Sequence, residues 1–340
     1  METPETPEKI PHVKGKTNVR IATAGEALID LIGRPDGLFD PCLGGSVFNF
    51  TRAMARQGVG TLYLNPLSSD RFGRRLAESL AVDGVQLARP DAVQLTTSLA
   101  VVGLTASGHP DYAFYRQGVA DRDVTAHTLN TATAAVSTLE IVCTGCLALS
   151  PDDADAYLPW LKTSREAGKT VVVDANLRPS VMPDMAAYRA NVLAALQCAD
   201  VIKVSDEDLD HLATPGATPL DKARTLLASS SATLMALTLG AQGAYLLTRS
   251  GDAWHVREAA PIAVVDTVGA GDCFLAGLVT ALLTNTITRD LADVDAAAGR
   301  VILSHALASA SLCVMRQGCQ PPTMDEVLAR VKDFPGVFTA

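Results

Sequence analysis

Short runs of β-branched and aliphatic residues alternate along this chain with longer stretches whose apolar positions recur every three or four residues. The short runs predict buried strands at Val19–Ala24, Ile141–Thr144, Thr170–Asp174, Val201–Val204 and Ala232–Leu239. The longer ones predict helices at Ser46–Gln57, Arg71–Val82, Asp152–Ala167, Tyr188–Gln197 and Pro219–Ala228. Strands that alternate with helices build a mostly parallel sheet covered on both faces. The expected class is therefore α/β, with three α/β/α layers. Ligands on such a sheet bind beyond the carboxyl ends of its strands.

One region breaks the alternation. Thr97–Leu104 and Asp111–Tyr115 read as extended segments joined by the turn-prone Ser107-Gly108-His109-Pro110, which is a hairpin pattern. The Gly-, Pro- and Asp-rich segment Ile32–Leu43 adds to it, and together they suggest a small β-strand lid over the open end of the sheet. The alternative is an ordinary surface hairpin. The expected organisation is a disordered lead-in over 1–18 and one domain over 19–340, with insertions at about 32–44 and 96–118.

Composition narrows the function classes. At 340 residues, 48% hydrophobic and 19% charged, the chain has ample material for a large core. A net charge of −9 argues against a nucleic-acid surface, which needs clustered Lys and Arg, but small phosphorylated ligands remain compatible. No run of eighteen apolar residues predicts a membrane span, and the polar N-terminus lacks the apolar centre of a signal peptide. Seven cysteines, mostly within apolar runs, suggest buried free thiols in a reducing cytoplasm. Cys143 and Cys146 form a lone CxxC with no second pair and no nearby His, which argues against zinc there.

The most informative run is Asp266-Thr267-Val268-Gly269-Ala270-Gly271-Asp272, followed at once by an apolar helical pattern. Small residues let the backbone approach a ligand closely, and the helix behind them brings unpaired amides and a positive dipole end. That combination suits a phosphate or a developing anion. Asp272 lies on the same turn, so a carboxylate able to take a proton stands beside it. Read alone, the run also fits a helix cap after a tight turn.

Two other phosphate motifs fail. Gly168-Lys169-Thr170 has Thr163 where a P-loop requires glycine, and it lies after a helix and before a strand, the reverse of P-loop order. No strand-linked G-x-G-x-x-G is present. Gly44-Gly45 opens the helix carrying Asn49, whose amide both donates and accepts, and Asp30 follows just past the first strand, where a carboxylate suits vicinal hydroxyls. Gly240 and Gly243 follow the strand ending at Thr238. Arg116, Arg178 and Lys203 follow apolar segments and are candidates to neutralise an anion. Each reads equally well, in isolation, as turn or surface chemistry.

Taken together these pieces resemble the ribokinase-like (pfkB-type) family of sugar kinases, most closely its fructokinase branch. The resemblance runs from about residue 19 to residue 330. Asp266–Asp272 is similar to the family's C-terminal signature and Gly44-Gly45-Ser46-Val47-Phe48-Asn49 to its N-terminal one. Gly25–Asp30, Phe114-Tyr115-Arg116, Asp174-Ala175-Asn176-Leu177-Arg178 and Thr238–Gly243 follow in family order.

The resemblance implies an ATP-dependent kinase acting on a small sugar. Asp272 would be the general base, with the amides of Gly269, Ala270 and Gly271 as the anion hole. Asp30, Gly44, Gly45 and Asn49 would hold sugar hydroxyls. Thr238, Gly240 and Gly243 would line the ATP side, with Lys203 nearby and Ala306–Gly318 closing the adenine pocket. Backbone oxygens near Asp266 and Val268 would hold a monovalent cation (K+), and a homodimer through the lid would be in keeping with relatives. Two departures stand out. Ser205-Asp206-Glu207-Asp208 replaces the Asn-x-x-Glu that orders the Mg2+ hydration shell, leaving Asp208 as the substitute; Cys273 replaces a small Ala or Ser and is read as packing.

For the acceptor, Asp30 and Ala120-Asp121 look like a fructokinase. Arg116 and Arg178 resemble the pair with which 2-keto-3-deoxygluconate kinases clamp a carboxylate. A third reading is a sugar- or nucleotide-binding regulator without chemistry.

Overall fold

The computed structural model describes residues 18–34, 36–104, 110–288 and 291–339. The lead-in expected over 1–18, apart from Asn18, lies outside the described residues, as does most of the turn expected at 107–110. In chain order the strands are β1 (Val19–Thr23), β2 (Leu28–Gly33), β3 (Phe39–Gly44), β4 (Gly60–Tyr63), β5 (Gln86–Leu87), β6 (Ser98–Leu104), β7 (Pro110–Tyr115), β8 (Ile141–Gly145), β9 (Thr170–Asp174), β10 (Val201–Ser205), β11 (Leu234–Thr238), β12 (Ala244–Thr248), β13 (Ala253–Arg257) and β14 (Val337–Thr339). The helices are α1 (Ser46–Arg56), α2 (Arg71–Val82), α3 (Ala126–Ala134), α4 (Ala154–Glu166), α5 (Met185–Cys198), α6 (Asp206–His211), α7 (Pro219–Ser229), α8 (Ala270–Thr284), α9 (Ala296–Val314) and α10 (Met324–Asp333).

Ten strands form the main sheet in the order β14-β13-β12-β11-β10-β9-β8-β1-β4-β5, parallel from β11 to β5 and antiparallel from β11 to β14. Alternate side chains of each central strand enter opposite cores, because a strand presents successive residues to opposite faces. Val171 and Val173 of β9 join one core with Trp160 of α4 and Tyr188 of α5. Val172 between them joins the other, with Phe274 and Leu278 of α8 and Ile302 of α9. This two-sided burial explains why the predicted strands read as unbroken apolar runs.

The expected elements lie within a few residues of those observed. α5 begins three residues before the predicted Tyr188, because Asp184 caps the helix through the amides of Ala186 and Ala187 at 2.9 Å. α9 is long and apolar enough to cross a membrane by composition, yet it packs as a core helix against α8, with Ile302, Leu303 and Ala306 fully buried.

A second sheet of four strands has the order β3-β2-β6-β7, with β2 and β6 parallel and its other pairs antiparallel. The predicted hairpin is β6–β7. The segment from Ile32 supplies more than an addition: β2 starts at Leu28, so Asp30 sits inside a strand of the small sheet, opposite Cys42 and Ala100, and not past the end of β1. Leu28 and Ala100 pack against Cys146 and Leu147, which directly follow β8, and seat the small sheet over the carboxyl end of the main one. Ile32, Leu38, Phe39 and Tyr115 are exposed on it.

Candidate active site

The N-terminus of α8 lies at the carboxyl end of the main sheet and differs from most helix starts in the chain. α2, α3, α6, α7 and α10 each begin with a side chain that accepts an amide of the first turn. α8 begins at Gly269, in the left-handed region at φ 78°, with no side-chain cap. Its first-turn amides therefore stay free of the usual partner. Ala270 is partly engaged, donating to the Thr267 carbonyl at 3.2 Å. Asp266 ties the loop down by accepting the amides of Val268 at 3.0 Å and Gly318 at 2.9 Å.

Asp272, in that first turn, is 6% exposed. Its Oδ1 accepts the Ser46 hydroxyl at 2.6 Å and its Oδ2 accepts the Asn49 amide at 3.0 Å. Burial raises its pKa above the ordinary carboxylate range, while those two donors, Lys203 and Arg178 pull it back. Asn176 donates to the Ser46 oxygen at 2.8 Å, and Arg178 donates to Asn176 Oδ1 at 2.8 Å. Both signature segments thus converge on one carboxylate.

Below the glycine run, Lys203 Nζ stands 3.1 Å from Oδ1 and 3.2 Å from Oδ2 of Asp174. The register pairs these residues directly across β10 and β9. A Cβ built on Gly271 would meet Lys203 Nζ at 3.1 Å, so the ammonium lies immediately under the helix turn. Burial drives Asp174 upward and works against the charge on Lys203, whose pKa is nevertheless raised because Asp174, Asp208 and Asp272 surround it.

On the small-sheet side, a Cβ on Gly44 would lie 2.1 Å from Asp30 Oδ2, so a side chain there would displace that carboxylate. Gly45 caps α1 at φ 103°, and Glu26 completes the cap by accepting the Ser46 amide at 2.8 Å. Asp30 is pushed up to about 6 by burial, with Arg178 opposing the shift.

The two arginines do not share an environment. Arg178 is exposed and bonded to its own loop through Asn176 and Leu177. Arg116 is largely buried, with Asp153 at 3.9 Å and Glu26 and Asp121 as further charge partners. Asp121 in turn accepts the Ser98 hydroxyl.

Asp208 is 4% exposed, and both its oxygens already accept amides, from Leu177 at 2.7 Å and Ser205 at 2.8 Å. Thr238 ends β11 opposite Ser205, and a Cβ on Gly240 would meet nothing within 4 Å, leaving open space. Gly243 also serves the fold, since a Cβ there would strike the Val256 carbonyl at 2.0 Å. Of the stretch Ala306–Gly318, the part up to Val314 is α9, and only the remainder is loop.

Sequence reading assigned no role to Ser46, Glu26, Asp174 or Asn176. All four stood within quoted motifs, so the signal was their adjacency to chemistry-bearing neighbours. What was missing was the partner each one meets.

Comparison with known proteins places the chain in a family. The model of the pfkB family carbohydrate kinases matches residues 19–326. A fructokinase from Rhizobium leguminosarum bv. trifolii is 32% identical over 281 residues, covering 81% of this chain and 84% of that protein. Fructokinase-2 of Solanum habrochaites is 29% identical over 331 residues, covering 92% and 96%. Among solved structures, a fructokinase from Xylella fastidiosa with bound ATP superposes with a TM-score of 0.80 at 27% identity, covering 93% of this chain and 98% of that one. The chain belongs to the pfkB family of carbohydrate kinases.

Proposed function

We propose that the protein transfers the γ-phosphoryl group of ATP to a hydroxyl of fructose. The observation that carries this reading is Asp272: a buried carboxylate, held by two donors, in the first turn of a helix without a side-chain cap. A sugar hydroxyl is a poor nucleophile, and Asp272 takes its proton as the new bond forms. The amides of Gly269, Ala270 and Gly271, with Lys203 beneath them, face the charge on the moving phosphoryl group.

Asp30, Gly44, Gly45 and Asn49 bind the sugar hydroxyls, and Thr238, Gly240 and Gly243 border the ATP side. The oxygen-rich turn at Ser205–Asp208 suits Mg2+ as a hydrated ion, since Asp208 is left only its remaining lone pairs; the metal supplies charge neutralisation at the phosphates. Carbonyls at Asp266 and Val268 are oxygen donors of the kind K+ takes. The small sheet acts as a lid that keeps water from accepting the phosphoryl group. Its exposed Ile32, Leu38, Phe39 and Tyr115 support pairing of two copies there. The free thiols are in keeping with a reducing cytoplasm.

Arg116 favours the neutral ketose over an acidic sugar. Its charge is already balanced by Asp121, Glu26 and Asp153, so it has little left for a substrate carboxylate. The test is kcat/KM for fructose and for 2-keto-3-deoxygluconate, side by side, in wild type and in Arg178→Ala. Fructose turnover with modest Arg178 dependence is expected. Turnover of the acid alone, abolished by Arg178→Ala, would replace fructose with the acidic sugar.

A further inference from the structure

Behind the glycine run lies a group of side chains that the phosphoryl-transfer reading leaves unused. Cys273 follows the proposed base on α8, Cys313 lies near the end of α9, and Cys319 lies on the loop between α9 and α10. Their three Sγ atoms all stand within 4.8 Å of one another, with Cys273 and Cys313 fully buried. Cys42, Cys143, Cys146 and Cys198 take no part in the group.

We propose that Cys273, Cys313 and Cys319 form a binding site for a thiophilic cation of the Zn2+ class, and that filling it shuts down the anion hole in front of them. An all-sulfur donor set selects soft or borderline cations over Mg2+ and K+. Zn–S bonds of ~2.3 Å in tetrahedral geometry require sulfurs roughly 3.8 Å apart, so the thiols need draw together by no more than about 1 Å. Two of them ride on packed helices and are pre-positioned; the third, on a loop, supplies the adjustment. Binding exchanges three S–H protons for one divalent ion, leaving a cluster of net charge −1 with a fourth position open to water.

The coupling to chemistry is direct contact. A Cβ built on Gly269 would meet Cys319 Sγ at 2.2 Å, so that sulfur lies against the residue that opens α8. The Cys313 thiol donates to the Val268 carbonyl at 3.5 Å. Gly318, next to Cys319, donates the amide that anchors Asp266. Drawing Cys319 inward therefore pulls on both sides of the loop and adds negative charge behind the site where a phosphoryl group gathers charge. The inhibitory half of the proposal rests on the phosphoryl-transfer reading; the binding half does not.

The test uses the full chain, reduced and stripped of metal. Zn2+ is titrated in competition with a chromophoric chelator, and Cd2+ is followed by its thiolate charge-transfer absorption. One equivalent is expected. C313S and C319S, each checked by thermal unfolding, should weaken binding by at least the roughly 10–100-fold that loss of even an outer-shell partner costs, whereas C42S and C198S should bind as wild type. Under excess Mg-ATP, Zn2+ should lower kcat and a chelator should restore it. Equal affinity in C313S, C319S and wild type would overturn the site, and binding without inhibition would overturn the coupling. Failure of the metal-free protein to phosphorylate any sugar would count against the kinase reading alone.

Discussion

The Ser46 hydroxyl donates a 2.6 Å hydrogen bond to Oδ1 of Asp272, although 226 residues separate them in sequence. Because Asn176 donates to the same oxygen of Ser46, the Ser46 proton is committed to the carboxylate. The proposed base is thereby oriented and its charged form favoured.

That relationship has a pH signature. Asp272 must be ionised to accept a proton, and burial has already moved its pKa upward. Removing a donor to the charged form raises it further. Ser46→Ala should therefore shift the acid limb of kcat/KM to higher pH, with activity partly recovered at alkaline pH. Asp272→Asn, by contrast, should lose the ~10²–10⁴-fold typical of a general base at every pH, with sugar KM largely kept. Overlapping profiles for Ser46→Ala and wild type would show that Ser46 does not tune the base.

Lys203 and Asp174 give a stability prediction. Removing one member of a buried pair leaves the other charge uncompensated, which typically costs about 3–5 kcal/mol. Lys203→Met should fall in that range in urea titrations, and Asp174→Asn added to it should recover much of the loss, since the carboxylate in direct contact with the lost ammonium is then neutral as well. Additive losses in the double variant would mean the two residues do not act as a pair.

Gly269 cannot carry a side chain. At φ 78° an L residue is strained, and its Cβ would enter the space held by Cys319 Sγ. Gly269→Ala should cost about 1–3 kcal/mol for the backbone alone and lower kcat by displacing the anion-hole amides. Cys319→Ala in that background should return part of the stability by making room, but not the part due to φ. A Gly269→Ala protein as stable and as active as wild type would contradict this geometry.

Glu26 makes stability depend on pH in an uncommon direction. Burial pushes its pKa up to about 7 from 4.5, so folding favours the protonated form. Its contribution is complete below about pH 4.5 and is lost as pH rises to 7, by up to about 3 kcal/mol. Glu26→Gln keeps an acceptor for the Ser46 amide without the titration. Denaturation at pH 5 and pH 8 should show a smaller decline in the variant than in wild type. Asp30 and Asp174 shift the same way, so some decline remains.

Periodicity sufficed for the parallel core because β8, β9 and β10 are buried on both faces, and such strands announce themselves as apolar runs. It missed β4, which opens on a glycine and has only four residues, and the antiparallel edge β12–β14, where burial alternates or lapses. α9 escaped because its apolar positions run nearly all round, which leaves no polar stripe to mark a period.

At the site the division follows the same physics. Local spacing singled out Asp272, the glycine run and Asn49, because turn chemistry and helix starts are encoded within a few neighbouring residues. It also marked Arg116 and Arg178 as cations, but only packing separates them, enclosing Arg116 among acids and leaving Arg178 at the surface. Asp208 stood out as the acid in the place of the metal motif, but only the fold engages each of its oxygens with an amide, from Leu177 and Ser205. The Lys203–Asp174 pair exists because β9 and β10 lie side by side in register, and the three thiols meet only where α8, α9 and the following loop pack together. The order of residues determined which groups were available; the partners they met, and hence their charge and reach, depended on contacts between segments far apart in the chain.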